Sequence, residues 1–510
     1  MPARARLVVA LVFDQLGSDT LLAHHDLLDE GGAIRRASAH GAYFERSEYP
    51  YANTQTAPGH ASIHTGAPPS VSGIDGNSTW NAQRSRPEAS ISDPQHLIFG
   101  REAEGASAGP GRLRAETVAQ ALKRETAGRA KVVSLSLKDR SAILSAGAGA
   151  DLVLWYDAKQ VGFTSSSAWG KSLPAWLLDF QTSRPMTSLV VPWLASNEAL
   201  YRARLGPDDA AGEGDFAGLG THFPHGFERV KDPLSVLSCT PQLSEYLVAL
   251  AARAVDEHGL GQDEVPDLLA LSISGTDCAG HIFGPRSWEY VDHLYRADRA
   301  VGAWLAKLSA AMPVAWLVTS DHGVAQLPES QTEPAGRVAT SALQRHAEAA
   351  LVAEFGTGPF IAGILPPFVH MAQSARARED IRTLRERAIE ALRSYPGIAD
   401  AWLISEVRTW QRADDPLRRA AAAGVAADNS ADVMFITQRH YSLDIGEASG
   451  KGTNHGSPYE YDRRVPVLAA GPGVPERRES ESVNQLRVAA TLARMLGIDR
   501  PGQAQGEPLF

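Results

Sequence analysis

The chain has 510 residues, 44% hydrophobic and 21% charged, ample for a substantial core. Lysine and arginine number 49 against 59 acidic residues, a formal net charge of −10, and an acidic chain without a basic run excludes nucleic acid or an anionic membrane surface as its main partner. No apolar stretch nears the ~18 residues of a membrane span, and two cysteines, Cys239 and Cys278, exclude a disulfide framework and a four-thiolate zinc site.

Arg4 and Arg6 precede the apolar run Leu7-Val8-Val9-Ala10-Leu11-Val12-Phe13, which ends at Asp14. Basic residues before an apolar run also open a signal peptide, but no small-residue cleavage site follows. The β-branched enrichment predicts a buried strand with Asp14 at its carboxyl end. Next come Asn53-Thr54-Gln55-Thr56-Ala57-Pro58-Gly59-His60 and Gly73-Ile74-Asp75-Gly76-Asn77. Thr56 stands where a helix would begin, with Pro58 in its first turn. A hydroxyl there faces free backbone N–H groups and the positive helix end, a place suited to a phosphoryl group; the plainer alternative is an N-cap. His60 and His64 are spaced as in a His-Glu-x-x-His zinc site, but Ala61 replaces the glutamate, so packing roles are expected. Asp75, if it pointed inward, would weaken anion binding beside Asn77.

Residues 116–124 are helix-like, and a strand at 131–137 runs into Lys138-Asp139-Arg140. In extended chain Lys138 and Arg140 would share a face, and two cations suit the dianion of a phosphate monoester. Gly- and Pro-rich residues 200–228 read as an inserted loop. Cys239-Thr240-Pro241 begins like a sulfatase Cys-x-Pro-x-Arg motif, but Leu243 occupies the arginine position. A helix at 242–256 and a strand at 267–273 lead to Asp277-Cys278-Ala279-Gly280-His281, where Cys278 is expected to be a packed free thiol. Val291, Leu294, Val301, Leu305 and Leu308 recur at helical spacing, and a strand at 314–320 delivers Asp321-His322-Gly323. Residues 340–445 hold a strand-like 368–371, a charged helix near 377–394 and a strand-like 401–404, a small inserted β-α-β subdomain with a surface loop at 411–430. Gly452-Thr453-Asn454-His455-Gly456 precedes a strand at 465–470, and 484–496 is helix-like. Strands alternating with helices predict an α/β fold with a central, mostly parallel sheet covered on both faces. One domain, 1–339 with 446–510, would carry the two insertions.

In such sheets ligands collect outside the carboxyl ends of the strands. Asp14, Asp277 and Asp321 with His281, His322 and His455 supply three carboxylates and three imidazoles, nearly all at strand ends. That set suits two borderline-soft cations such as zinc. Singly each residue is an ordinary turn or cap former; together they point to a site. Zinc beside Thr56 would turn a poor nucleophile into an alkoxide.

Thr-x-Thr-x-x-Gly-His, Thr-Gly-x-x-Pro, Gly-Ile-x-Gly-Asn, Asp-x-x-x-His, Asp-His-Gly and Asn-His-Gly-Ser-Pro, in this order, resemble the alkaline phosphatase superfamily. The pattern is most similar to its phosphate-irrepressible, threonine-nucleophile alkaline phosphatases and more distantly to nucleotide pyrophosphatases and phosphodiesterases. The resemblance implies Thr56 as nucleophile and Asn77 as a donor to a phosphoryl oxygen. It also implies two Zn2+, one on Asp277, His281 and His455, the other on Asp14, Asp321, His322 and Thr56. Lys138 and Arg140 match the monoesterases, so small-molecule phosphate monoesters are the expected substrates of a monomeric enzyme. A phosphodiesterase or nucleotide pyrophosphatase on the same scaffold is the alternative, and a non-catalytic binding protein the more remote one. The resemblance further implies a periplasmic location, for which the chain itself offers no convincing signal peptide.

Overall fold

The computed structural model describes residues 4–444 and 450–510; the subdomain boundary expected at 445–446 lies outside them. In chain order the strands used below are β1 (Leu7–Phe13), β2 (Ala42–Glu48), β3 (Val132–Ser136), β4 (Leu152–Asp157), β5 (Gly162–Thr164), β6 (Asp267–Ile273), β7 (Val314–Thr319), β8 (Ile361–Leu365), β9 (Phe368–Met371), β10 (Ile398–Leu403), β11 (Val433–Thr437), β12 (Arg464–Ala470) and β13 (Arg477–Asn484). The helices are α1 (Thr56–Thr65), α2 (Val118–Glu125), α3 (Asp139–Ala146), α4 (Pro241–His258), α5 (Gly275–Phe283), α6 (Trp288–Ala311), α7 (Thr340–Phe355), α8 (Ile381–Ser394) and α9 (Arg487–Leu496).

Nine strands form one sheet in the order β13-β2-β12-β7-β1-β6-β3-β4-β5. β1 pairs in parallel with β6 and β7, and β3 pairs in parallel with β6 and β4. All seven residues of β1 are buried. Leu7, Val9, Leu11 and Phe13 join a cluster with α4 and α6, while Val8, Ala10 and Val12 join a second cluster with α2 and α9. The period-two alternation of a strand therefore feeds two helical layers, which is why β1 reads as a continuous apolar run. Because β7, β1, β6 and β3 are parallel neighbours, the residues that follow them emerge at one edge. β12 runs antiparallel to both β7 and β2, so the segment preceding it reaches that same edge.

The 340–445 region contains a separate antiparallel sheet, β8-β9-β11-β10, whose core includes residues of α7 and α8. It has four strands in place of the expected two, because β8 and β11 supply strands absent from the sequence reading. The expected loop at 411–430 contains a helix, Pro416–Ala423, with Ala420, Ala421 and Ala422 buried. The 200–228 stretch begins as the end of a helix, Glu198–Leu205, and continues without regular structure. Cys239 and Cys278 form a disulfide with Cα atoms 5.0 Å apart. This corrects the expected free thiol, and the bond ties α5 to the segment before α4. Among the described residues no helix is long and apolar enough to cross a membrane.

Candidate active site

Asp14 follows β1, Lys138 follows β3, Asp277 lies in the first turn of α5 after β6, and Asp321 follows β7. The four meet at the sheet edge. Asp14, Asp321 and His322 are each 0% exposed, and Asp14 Oδ1, Asp321 Oδ2 and His322 Nε2 have no hydrogen-bond partner among the described residues. The imidazole nitrogen lies 3.5 Å from each of those carboxylate oxygens. Three unpartnered buried acceptors converging on one point are costly unless a cation joins them. The candidate ligand atoms of Asp14, Asp321 and His322 lie within 4.8 Å of one another, as do those of Asp277, His322 and His455. His281, expected in the second set, stays outside that compact group; its Nε2 is 3.2 Å from Asp277 Oδ1.

The histidines are oriented for ligation. Nδ1 donates to Gly323 O in His322 (3.0 Å), to Thr54 O in His455 (2.7 Å) and to Thr453 O in His281 (2.9 Å). Each backbone carbonyl fixes the tautomer, so Nε2 presents its lone pair inward when the ring is neutral. Burial lowers His322 to about 3 and also lowers His455. In His281 burial is outweighed by the Asp277 carboxylate, which raises it. Burial, with Asp321 and Asp277 nearby, holds Asp14 well above the usual carboxylate range. For Asp277 burial is overcome by His281 and Lys138, which hold it well below that range. Lys138 donates to Asp14 Oδ2 at 2.7 Å and Asp277 Oδ2 at 2.6 Å, and its Nζ is 3.4 Å from Thr56 Oγ1.

Thr56 is 1% exposed and is the first residue of α1, a helix of ten buried residues. The expected set of free N–H groups is smaller than the sequence suggests. Pro58 has none, Gly59 N bonds Gln55 O at 2.9 Å, and Ala57 N bonds Asn77 Oδ1 at 2.9 Å, which leaves the Thr56 N–H. The Ala57 bond orients Asn77: with Oδ1 engaged, Nδ2 is the end left to donate, and it has no partner among the described residues. Lys138 is extended, but Asp139 opens α3, so Arg140 belongs to a helical turn and the shared-strand-face reasoning does not hold. Arg140 Nε is buried without a partner among the described residues. Asp75 turns away from Asn77: its Oδ2 accepts from Ala426 N at 3.0 Å and Asn429 Nδ2 at 2.7 Å.

Two contributors escaped the sequence reading. Gln15, at φ 70°, donates through Nε2 to Asp277 Oδ1 at 2.8 Å and through its backbone N–H to Asp321 Oδ1 at 3.2 Å. Only its adjacency to Asp14 hinted at this. His60 is packed, as expected, but its Nδ1 lies 3.3 Å from Asp321 Oδ2 while that N–H is directed to Thr56 O at 3.0 Å. It therefore packs α1 against the Asp321 turn. His64 is a buried packing residue, lowered to about 3 by burial.

Residues 8–458 match the family described as type I phosphodiesterase / nucleotide pyrophosphatase. A calcium-transporting ATPase of Myroides odoratus is 28% identical over 520 residues, covering 99% of this chain and 94% of its own. Alkaline phosphatase PhoV of Synechococcus elongatus is 29% identical over 520 residues, covering 99% and 92%. The crystal structure of wild-type alkaline phosphatase PafA superposes with a TM-score of 0.92 at 26% identity, covering 100% of this chain and 99% of that one. A second PafA structure, TM-score 0.91 at 26% identity with the same coverage, carries simultaneous replacements of one threonine, one asparagine, one lysine and one arginine.

Proposed function

The chain belongs to the type I phosphodiesterase / nucleotide pyrophosphatase family, and we propose that within it the protein is a zinc-dependent phosphate monoester hydrolase acting through a phosphothreonine intermediate. The observation that carries this is the meeting of Thr56 Oγ1 and Lys138 Nζ, 3.4 Å apart, beside the unpartnered atoms of Asp14, Asp321 and His322. Imidazole and carboxylate donors without thiolates suit zinc. Asp14, Asp321, His322 and Thr56 would hold one ion, and Asp277, His281 and His455 the other. When bound, two such ions would supply Lewis acidity for the entering and leaving oxygens.

The chain's own residues account for the rest. Thr56 Oγ1 attacks phosphorus, the Oγ1–P bond forms, and the P–O bond to the alcohol breaks, the departing oxygen taking up a proton. Water then attacks the phosphothreonine, releases phosphate and returns the proton to Thr56. Lys138, Arg140 and Asn77 Nδ2 offer donors to the non-bridging oxygens, which carry one more charge in a monoester than in a diester. The four residue types replaced together in the second PafA structure are those of Thr56, Asn77, Lys138 and Arg140, which supports treating them as one unit.

Thr56→Ala should lose roughly three orders of magnitude or more in turnover while unfolding at the temperature of the parent; full activity in that variant would sink the assignment. The family description keeps a diesterase reading alive. Rates on p-nitrophenyl phosphate and bis-p-nitrophenyl phosphate separate the two, and diester preference, or indifference to Lys138→Ala, would favour the diesterase. The Cys239–Cys278 disulfide supports an oxidising compartment such as the periplasm; recovery of the native protein only in the cytoplasmic fraction would overturn that location.

A further inference from the structure

The β8-β9-β11-β10 sheet carries a cleft of about 720 Å3 whose walls include Arg376, Arg382, Arg385 and Arg408. At its base Asp432, 4% exposed, holds two guanidinium groups at once. Its Oδ2 accepts from Arg376 Nε and Nη2 at 2.9 and 2.6 Å, and its Oδ1 from Arg385 Nε and Nη2 at 2.9 and 2.6 Å. Both side chains are thereby pinned by one edge, and the Nη1 of each has no acceptor among the described residues. Arg408 Nη2 donates to Asn429 O at 2.6 Å, and its other nitrogens are likewise without partners there. Arg382 Nε meets Glu386 at 3.0 Å, and Glu406 is the other acid on the wall.

One carboxylate would suffice to clamp one guanidinium between α8 and β11. The second pinned cation and Arg408 leave a positive surplus, inside a chain whose overall charge is −10. Planar guanidinium forks with free N–H edges match the oxygens of phosphate. The volume falls in the range of roughly 300–1,000 Å3 typical of small-molecule sites, and Leu403 and Ile404 add an apolar wall. We propose that this cleft binds a phosphate or phosphate-ester anion, at a site separate from the carboxylate–imidazole cluster.

Equilibrium dialysis of the metal-loaded protein against radiolabelled inorganic phosphate tests it. Arg382 and Arg408 are exposed and make no contact with Asp432, so Arg382→Ala/Arg408→Ala leaves the base of the cleft intact. We expect one bound phosphate per chain to weaken by roughly tenfold per guanidinium removed, with p-nitrophenyl phosphate turnover unchanged. Ser405→Glu adds a carboxylate to the wall at an exposed position; it should weaken the same phosphate even if the double variant does not fold. Thr56→Ala should leave that phosphate in place. Phosphate binding insensitive to the arginine and Ser405 substitutions overturns the proposal.

Discussion

Gly59 is where α1, the helix that Thr56 opens, touches the turn that carries Asp321. A Cβ at this position would stand 2.6 Å from Asp321 Cβ and closer still to Asp321 O, whereas non-bonded carbons settle at about 3.5–4.0 Å. The obstacle is backbone and Cβ, not the tip of a flexible side chain, and both elements are buried. Gly59→Ala therefore forces α1 or the Asp321 turn to retreat by roughly 1 Å. The alanine gains about 1 kcal/mol of helix propensity against an overpacking cost of about 1–3 kcal/mol, so stability should fall by no more than about 2 kcal/mol. Turnover should fall much further, by about 10²-fold, because a shift of that size separates the Thr56 hydroxyl from the groups that must act with it. Steady-state kinetics on p-nitrophenyl phosphate at saturating zinc, paired with urea unfolding, measure the two effects separately. A folded Gly59→Ala protein with turnover within twofold of the parent would refute the close-approach reasoning.

Gln15→Ala removes the amide that donates to Asp277 Oδ1; metal affinity, measured by competition with a chelating dye, should fall by about 10–100-fold, and an unchanged affinity would deny Gln15 a positioning role. Asp298 is buried in α6 and accepts the Ile34 N–H at 2.9 Å, and its other oxygen has no partner among the described residues; burial pushes its carboxyl up to about 7 from an ordinary 3.8. A carboxyl raised in the folded state contributes stability that is full below the ordinary value and is lost as pH rises through the folded one. Asp298→Asn, shaped like the neutral acid, should therefore gain about 2–3 kcal/mol on the parent between pH 5 and pH 7.5. Urea unfolding at the two pH values reads this, and an equal difference at both would refute it.

What the sequence made legible follows from burial. β1, β6 and β7 are covered on both faces and read as apolar runs, with Asp14, Asp277 and Asp321 just beyond them. β2 and β13 lie at one side of the sheet, and β13 is largely exposed, with the sequence Arg-Arg-Glu-Ser-Glu-Ser-Val-Asn; its ladder is made by backbone, which leaves no side-chain pattern to read. β4, by contrast, is a buried apolar run that ends in Asp157, yet the sequence reading passed over it. The strand face that Lys138 and Arg140 were expected to share does not form, because the strand ends at Ser136 and a helix opens at Asp139, a boundary that alternation alone does not mark. His455 precedes its strand, so the carboxyl-end rule does not reach it; it entered the candidate set as a third imidazole beside a strand, and the antiparallel course of β12 explains why it reaches the same edge. The Cys239–Cys278 bond depends on how α5 meets the chain before α4, which no residue pattern announces.

The place of β1 between β6 and β7 also bears on how the chain is made. Its seven apolar residues leave the ribosome well before their partners, which begin at Asp267 and Val314. At about 5–20 residues per second, Leu7–Phe13 must wait roughly 13–50 s before the nearer neighbour begins to be synthesised and roughly 15–60 s for the other. During that interval an uncovered apolar strand is a template for pairing with another nascent chain. The feature that sets Asp14 beside Asp277 and Asp321 therefore keeps an apolar strand waiting for partners made hundreds of residues later, as β2 in turn waits for β12.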